Sequence, residues 1–209
     1  VDVVAGGAGV GIGAVGVGAS VAVTVIHKDT QAYIGAHAEV DGLGGVTVDA
    51  ESSESVFSAV AAVGGGFYAG VAGAVTVEVV HSDTTAFIGD QAKVNLGDGA
   101  TEDQSVTVSA YNDAKVFSFA GGLGGGFAGV GGAVDVGVLR NTTSAYIGAG
   151  AEGHARKAVN VDAESVKDID SVAVSLGLGV VGGAGSVSVW AVGADFDSTY
   201  SDGDQSDDA

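Results

Sequence analysis

The stretch that decides the fold is Ser20-Val21-Ala22-Val23-Thr24-Val25-Ile26, followed by His27-Lys28-Asp29-Thr30 and the tetrapeptide Ala32-Tyr33-Ile34-Gly35. Its period is two, the signature of a strand, with valine on one face and small or polar side chains on the other. The expectation is a strand buried on one side and tightly packed or wet on the other. The same passage returns as Ala74-Val75-Thr76-Val77-Glu78-Val79-Val80, His81-Ser82-Asp83-Thr84 and Ala86-Phe87-Ile88-Gly89. It returns again as Ala133-Val134-Asp135-Val136-Gly137-Val138-Leu139, Arg140-Asn141-Thr142-Thr143 and Ala145-Tyr146-Ile147-Gly148. The polar tetrapeptides read as turns.

Each copy continues into a second alternating run, Val46 to Glu51, Val106 to Ala110 and Val159 to Glu164, and then into a glycine block. The chain therefore divides into repeats 1–58, 59–118 and 119–175, with a partial fourth copy and an acidic tail over 176–209, all one continuous domain. Terminal repeats are commonly atypical because one face has no neighbour to bury it.

Composition agrees with a sheet built from small residues. Among 209 residues there are 38 Gly, no Pro, no Cys and no Met. Valine and alanine dominate the apolar set, and valine loses rotamer freedom in a helix but suits a pleated surface. A proline inside a central strand would remove a ladder hydrogen bond, so its absence fits long strands. Glycine weakens an isolated strand through backbone entropy, and the glycine blocks are expected to lie in the interior of a large stack, where faces without side chains let backbones approach.

With three or four strands per unit and no helix between them, a βαβ array is excluded. An all-β repeat β-solenoid is expected, because stacked identical units bury a continuous core without large side chains. The alternative is an elongated two-layer β-sandwich or meander of the same repeats. In the solenoid, Tyr33, Phe87 and Tyr146 form an aromatic column. Backbone rather than bulky side chains then fills the middle.

Charge narrows the partners. A net charge of -19 repels a phosphate backbone, which argues against nucleic acid. Residues 3–26 and 59–77 carry no charged side chain, but their period of two and their lack of flanking Lys or Arg clusters argue against membrane-spanning helices. A membrane barrel would show aromatic girdles. No Gly-x-Ser-x-Gly elbow or phosphate loop occurs, so no enzyme and no cofactor are expected. The histidines His27, His37, His81 and His154 read as surface residues. Glu51 and Glu54 sit in a polar stretch where no pKa perturbation is expected.

One cofactor is worth arguing. Residues 195–208 place six aspartates in fourteen positions, and Asp195, Asp197, Asp202 and Asp204 form a candidate calcium site, because calcium takes six to eight hard oxygens. The competing reading is a solvated acidic tail or linker. Asp29, Asp83, Asp90 and Asp98 are further scattered candidates.

The succession from Val17 to Ile26, Asp29-Thr30, Ala32 to Gly35 and Val46 to Glu51 resembles the glycine- and valine-rich repeats of giant secreted bacterial surface proteins. These include filamentous-haemagglutinin-like adhesins and leukotoxin-type exoproteins. The resemblance covers nearly the whole chain and implies a secreted, extracellular or cell-surface fibrous β-protein, an adhesin stalk or a self-assembling filament or biofilm-matrix subunit. Open first and last strands would favour self-association into fibres. The alternatives are a ligand- or calcium-binding adhesion module, which would need an outward row of aromatics to meet a host or surface receptor, and a pore-forming exoprotein fragment.

Overall fold

The computed structural model describes residues 2–11, 14–97 and 101–193, which are all-β; among them there is no helix, and hence none long and apolar enough to cross a membrane. The strands are β1 (Asp2–Gly11), β2 (Val15–Ile34), β3 (Glu39–Val40), β4 (Gly45–Gly66), β5 (Ala69–Ile88), β6 (Lys93–Val94), β7 (Ser105–Gly125), β8 (Ala128–Ile147), β9 (Glu152–Gly153), β10 (Ala158–Leu178) and β11 (Val181–Val192). They form three sheets ordered β1-β4-β7-β10, β11-β8-β5-β2 and β3-β6-β9. Every pairing is parallel.

This is a β-solenoid with one wide coil per repeat. One coil runs out along a strand of the second sheet, crosses a short third side, returns along the first sheet and passes through a two-residue arch into the next coil. The repeat boundary at 58/59 falls inside β4, so the structural coil keeps the period of the sequence in a different phase. Each long strand of about 20 residues spans roughly 70 Å, whereas one coil adds only about 4.8 Å along the axis.

Pairing follows the repeats residue for residue. Tyr33 pairs with Phe87 and Phe87 with Tyr146, and Val46 pairs with Val106 and Val106 with Val159. The polar tetrapeptides are a correction. His27 to Thr30, His81 to Thr84 and Arg140 to Thr143 continue unbroken strands instead of turning. Their inward members bond across the interior to the facing strands, Ser82 to Glu54 and Asn112 to Ser82 and Thr84, so the chain has no need to leave the sheet. The turn comes after the Ala-Tyr/Phe-Ile-Gly motif, where the N–H groups of Ala38, Ala92 and Ala151 donate to Gly35, Gly89 and Gly148. His37, Gln91 and Gly150 occupy the left-handed position of these turns, at φ 60, 55 and 68°, as the third residue of a type II turn requires.

Over the arch-side half of the second sheet the inward side chains are small and the valines face outward. Val21, Val23 and Val25 are 62, 61 and 70 % exposed while Ala22 and Thr24 are buried. The reason is the spacing of the two long sheets near the arches. A Cβ on Gly64 would collide with the Val71 carbonyl, one on Gly124 with that of Val130, and one on Gly122 with that of Gly132. Backbone meets backbone there, as expected of the glycine blocks, but only at the arch end; farther in, side chains such as Val56, Val80, Val116 and Leu139 fill the middle, against the expectation that backbone would.

From the arches inward the core changes character in bands. After the glycine contacts comes an alanine-rich cluster of Ala22, Val60, Ala62, Ala72 and Ala74. A polar belt follows, then a cluster of Val56, Val80, Ala114, Val116 and Leu139. A second polar belt precedes the largest cluster, which includes Val48, Ile88, Val94, Val106 and Val108 at the third side.

Candidate functional site

The chemistry-bearing groups lie in the two polar belts and in the outward aromatic columns. The first belt is centred on Asp135, which is 0 % exposed. Its Oδ1 accepts from Thr76 and Ser118, and its Oδ2 accepts from Ser171, from Ser188 at 3.1 Å and from Trp190 Nε1 at 2.8 Å. Trp190, on the fourth coil, fits because its neighbour in the ladder is Gly137, whose Cβ would strike the indole. Burial alone would raise the Asp135 pKa, but the donors from Ser118, Ser171, Thr76 and Trp190 outweigh it and hold the carboxyl below its ordinary value.

Glu78 lies in the same belt and is equally buried. Its Oε1 lies 3.3 Å from Ser118 Oγ, whose single proton goes to Asp135, and its Oε2 has no hydrogen-bond partner. Burial and the neighbouring Asp135 charge push this carboxyl up to about 7. The pair therefore divides its roles, with Asp135 ionised and Glu78 able to retain a proton near neutrality.

The second belt is centred on Glu54. Ser52, Ser82 and Asn112 donate to it at 2.5, 2.9 and 3.0 Å, and Lys28 Nζ stands 3.1 Å away. Asn112 also donates to Thr84 and accepts from Asn141. The expectation of an exposed, unperturbed Glu54 is thus overturned. Burial raises its pKa, the hydrogen bonds and the Lys28 ammonium lower it further, and the net direction is down. Strand parity is the reason: Glu51 faces out and Glu54, three residues on, faces in.

Tyr33, Phe87 and Tyr146 form a stacked column, with centroids 5.1 Å apart at both steps and planes within 9°. Tyr33 and Tyr146 are exposed and Phe87 half-buried, so the column faces outward. Phe57 and Phe117 form a second one on the opposite sheet, at 5.3 Å, which sequence comparison could have found from their equal places in the repeat. Rings stacked in this way present their edges to solvent. A sugar seeks a ring face, and only the end rings offer one.

His27 and His81 lie side by side on the outer face in mid-strand, ring centroids 4.9 Å apart and planes tilted by 50°, and His81 Nε2 lies 3.2 Å from Asp83 Oδ2. Asp29 and Asp83 are accordingly strand residues rather than turn residues. Asp90 lies in a true turn and accepts from the Ala149 N–H. The structure brings together no three His, Cys, Asp or Glu side chains able to hold a metal ion among the described residues. Asp98, Asp195, Asp197, Asp202 and Asp204 lie outside the described residues. A recess of about 200 Å³ beside Ile88, Val94, Val106, Ile147 and Val159 is the open end of the largest core cluster, with Glu152 also on its wall.

Compared with known proteins, the chain matches no family model, no curated protein and no solved structure.

Proposed function

We propose that this chain is a structural segment of a secreted or cell-surface bacterial fibrous protein, acting as a filament or matrix subunit. The observation that carries the reading is the unbroken residue-for-residue parallel register of the long strands through successive coils. Force or shear along the solenoid axis is then shared by some twenty strand positions in each of two sheets, all hydrogen-bonded in the direction of the load. Interior carboxylates support that stack, Asp135 accepting from Thr76 and Glu54 from Asn112 of neighbouring coils.

Geometry favours the matrix role over the stalk. A coil of more than fifty residues that adds about 4.8 Å of length is a slow way to extend a tether. It is an effective way to make a broad ribbon.

The test is immunogold electron microscopy of cells that make the protein, with antibodies raised against this segment. Label is expected outside the cell, on rods, fibres or sheets. Label confined to the cytoplasm sinks the reading.

A further inference from the structure

The outer face of the sheet β11-β8-β5-β2 is ruled into rows that run across the strands. Beginning at the arch, the rows are Val15/Ala69/Ala128/Val181, then Val17/Val71/Val130/Gly183, then Ala19/Gly73/Gly132/Gly185. Three further rows follow, led by Val21/Val75/Val134/Val187, then Val23/Val77/Val136/Val189 and Val25/Val79/Val138/Ala191. Beyond them lies His27/His81/Arg140, where charge begins.

The third row is a groove, and the fold does not require it. A Cβ on Gly73 or Gly185 would meet nothing within 4 Å, and one on Gly132 would touch its nearest neighbour at 3.8 Å. These glycines differ in kind from Gly64, Gly122 and Gly124, which the opposite backbone forbids to change. Strand interiors disfavour glycine where nothing approaches it. What approaches here comes from outside the chain.

We infer that a second copy of this chain covers the face, antiparallel, with the Val134 row of each copy seated in the Gly132 groove of the other. The inference rests on the fibrous reading above and names its lateral partner. A two-fold axis along the solenoid direction, placed between the third and fourth rows, makes this exchange. The same axis sets the first row over the sixth and the second over the fifth, so the two apolar bands coincide from end to end. It also places the arch aromatics Phe67 and Phe127 beside the partner's His27, His81 and Arg140 row, where a ring face can meet the Arg140 cation. The acidic remainders of the two copies then project in opposite directions, which relieves repulsion between chains of net charge -19. Four strands at about 4.8 Å and six rows over about 35 Å cover roughly 700 Å² per copy, close to the roughly 800 Å² per partner of a stable interface.

A lipid surface is the other occupant such a face could take, and the experiment separates the two. Sedimentation of the 209-residue chain over about 1–100 μM, the range of ordinary weak to moderate dimers, should show a dimer. The double variant Gly73→Val/Gly132→Val should keep or raise the melting temperature and weaken dimerisation by about tenfold or more. The chain has no native cysteine, so Val71→Cys and Val77→Cys chains can be mixed with a short bis-maleimide. Mixed 71–77 cross-links are expected to dominate. Predominant 71–71 and 77–77 products, a monomer throughout, or a monomer that floats with phosphatidylcholine vesicles overturns the inference. Extracellular label without dimers would overturn it alone and leave the fibrous reading standing; dimers in a cytoplasmic protein would do the reverse.

Discussion

Gly64 on one long sheet lies against the carbonyl of Val71 on the other, with no room between them for a methyl group. Gly124 and Val130 repeat the relationship one coil later. The inter-sheet distance at the arch end is thereby set by peptide planes, and every inward position there must be glycine or nearly so.

Gly64→Ala and Gly124→Ala should each destabilise the chain by more than about 2 kcal/mol, the upper range for overpacking against groups that cannot yield. Gly73→Ala, on the outer face, should be neutral or stabilising by about 0.5–1 kcal/mol, since alanine loses less backbone entropy on folding. Urea denaturation compares them. Equal effects at the two kinds of site would show that the sheets are not held at backbone contact.

Glu78 makes stability depend on pH. Its carboxyl is raised from 4.5 to about 7 in the folded chain, so the native state binds the extra proton between these values. Its contribution is fully present below the unfolded pKa and is lost as pH rises through about 7, a difference on the order of 3 kcal/mol. Glu78→Gln should flatten the fall in melting temperature between pH 5 and pH 8. An unchanged slope in the variant would assign the dependence to other groups.

Asp135 and Glu54 act in the opposite sense. Both carboxyls are held below their ordinary values by the groups that donate to them, so their contribution is present above the unfolded pKa and lost as pH falls through the folded one. Lys28→Met removes the counter-ion of Glu54 and should cost about 1–3 kcal/mol at neutral pH and less at a pH low enough to protonate Glu54. The check is the difference between wild-type and variant melting temperatures at the two pH values; a pH-independent cost would mean that the lysine acts through packing of its stem.

Phe87 stacks on two rings and Tyr33 on one. At about 0.5–1.5 kcal/mol per stacked pair, Phe87→Ala should cost about twice what Tyr33→Ala costs beyond the loss of buried area. Chemical denaturation of the two variants and of the double variant measures the ratio. Additive and equal losses would mean that the rings stand side by side without interacting.

Much of the fold was legible because equivalence between copies is a statement about space. Once Ala32-Tyr33-Ile34-Gly35, Ala86-Phe87-Ile88-Gly89 and Ala145-Tyr146-Ile147-Gly148 are aligned, stacked copies of a β-solenoid are favoured, though one wide coil, two narrow ones and a meander all fit the alignment. Two things were not legible. A period of two leaves the choice of inner face open, and the usual preference for burying valine loses here to a sheet spacing that glycine makes possible. Polar runs such as His81 to Thr84 signal turns in a single strand, but their meaning changes when Ser82 and Thr84 meet Asn112 across the interior. The role of Glu54 was hidden for the same reason. Its partners Ser82 and Asn112 lie 28 and 58 residues away, brought together only by the coil.

The coils differ in length chiefly at one corner, with a further single residue at the arches. Between the short strand and the returning long strand the chain spends residues 41–44 in one coil, 95–104 in the next and 154–157 in the third, while the long ladders keep a common register. A residue inserted in β4 or β5 would reverse every side chain beyond it, core for surface. Residues added at this third corner leave both ladders as they are, so the corner is where such a protein can acquire new loops, epitopes or grafted peptides without renegotiating its interior.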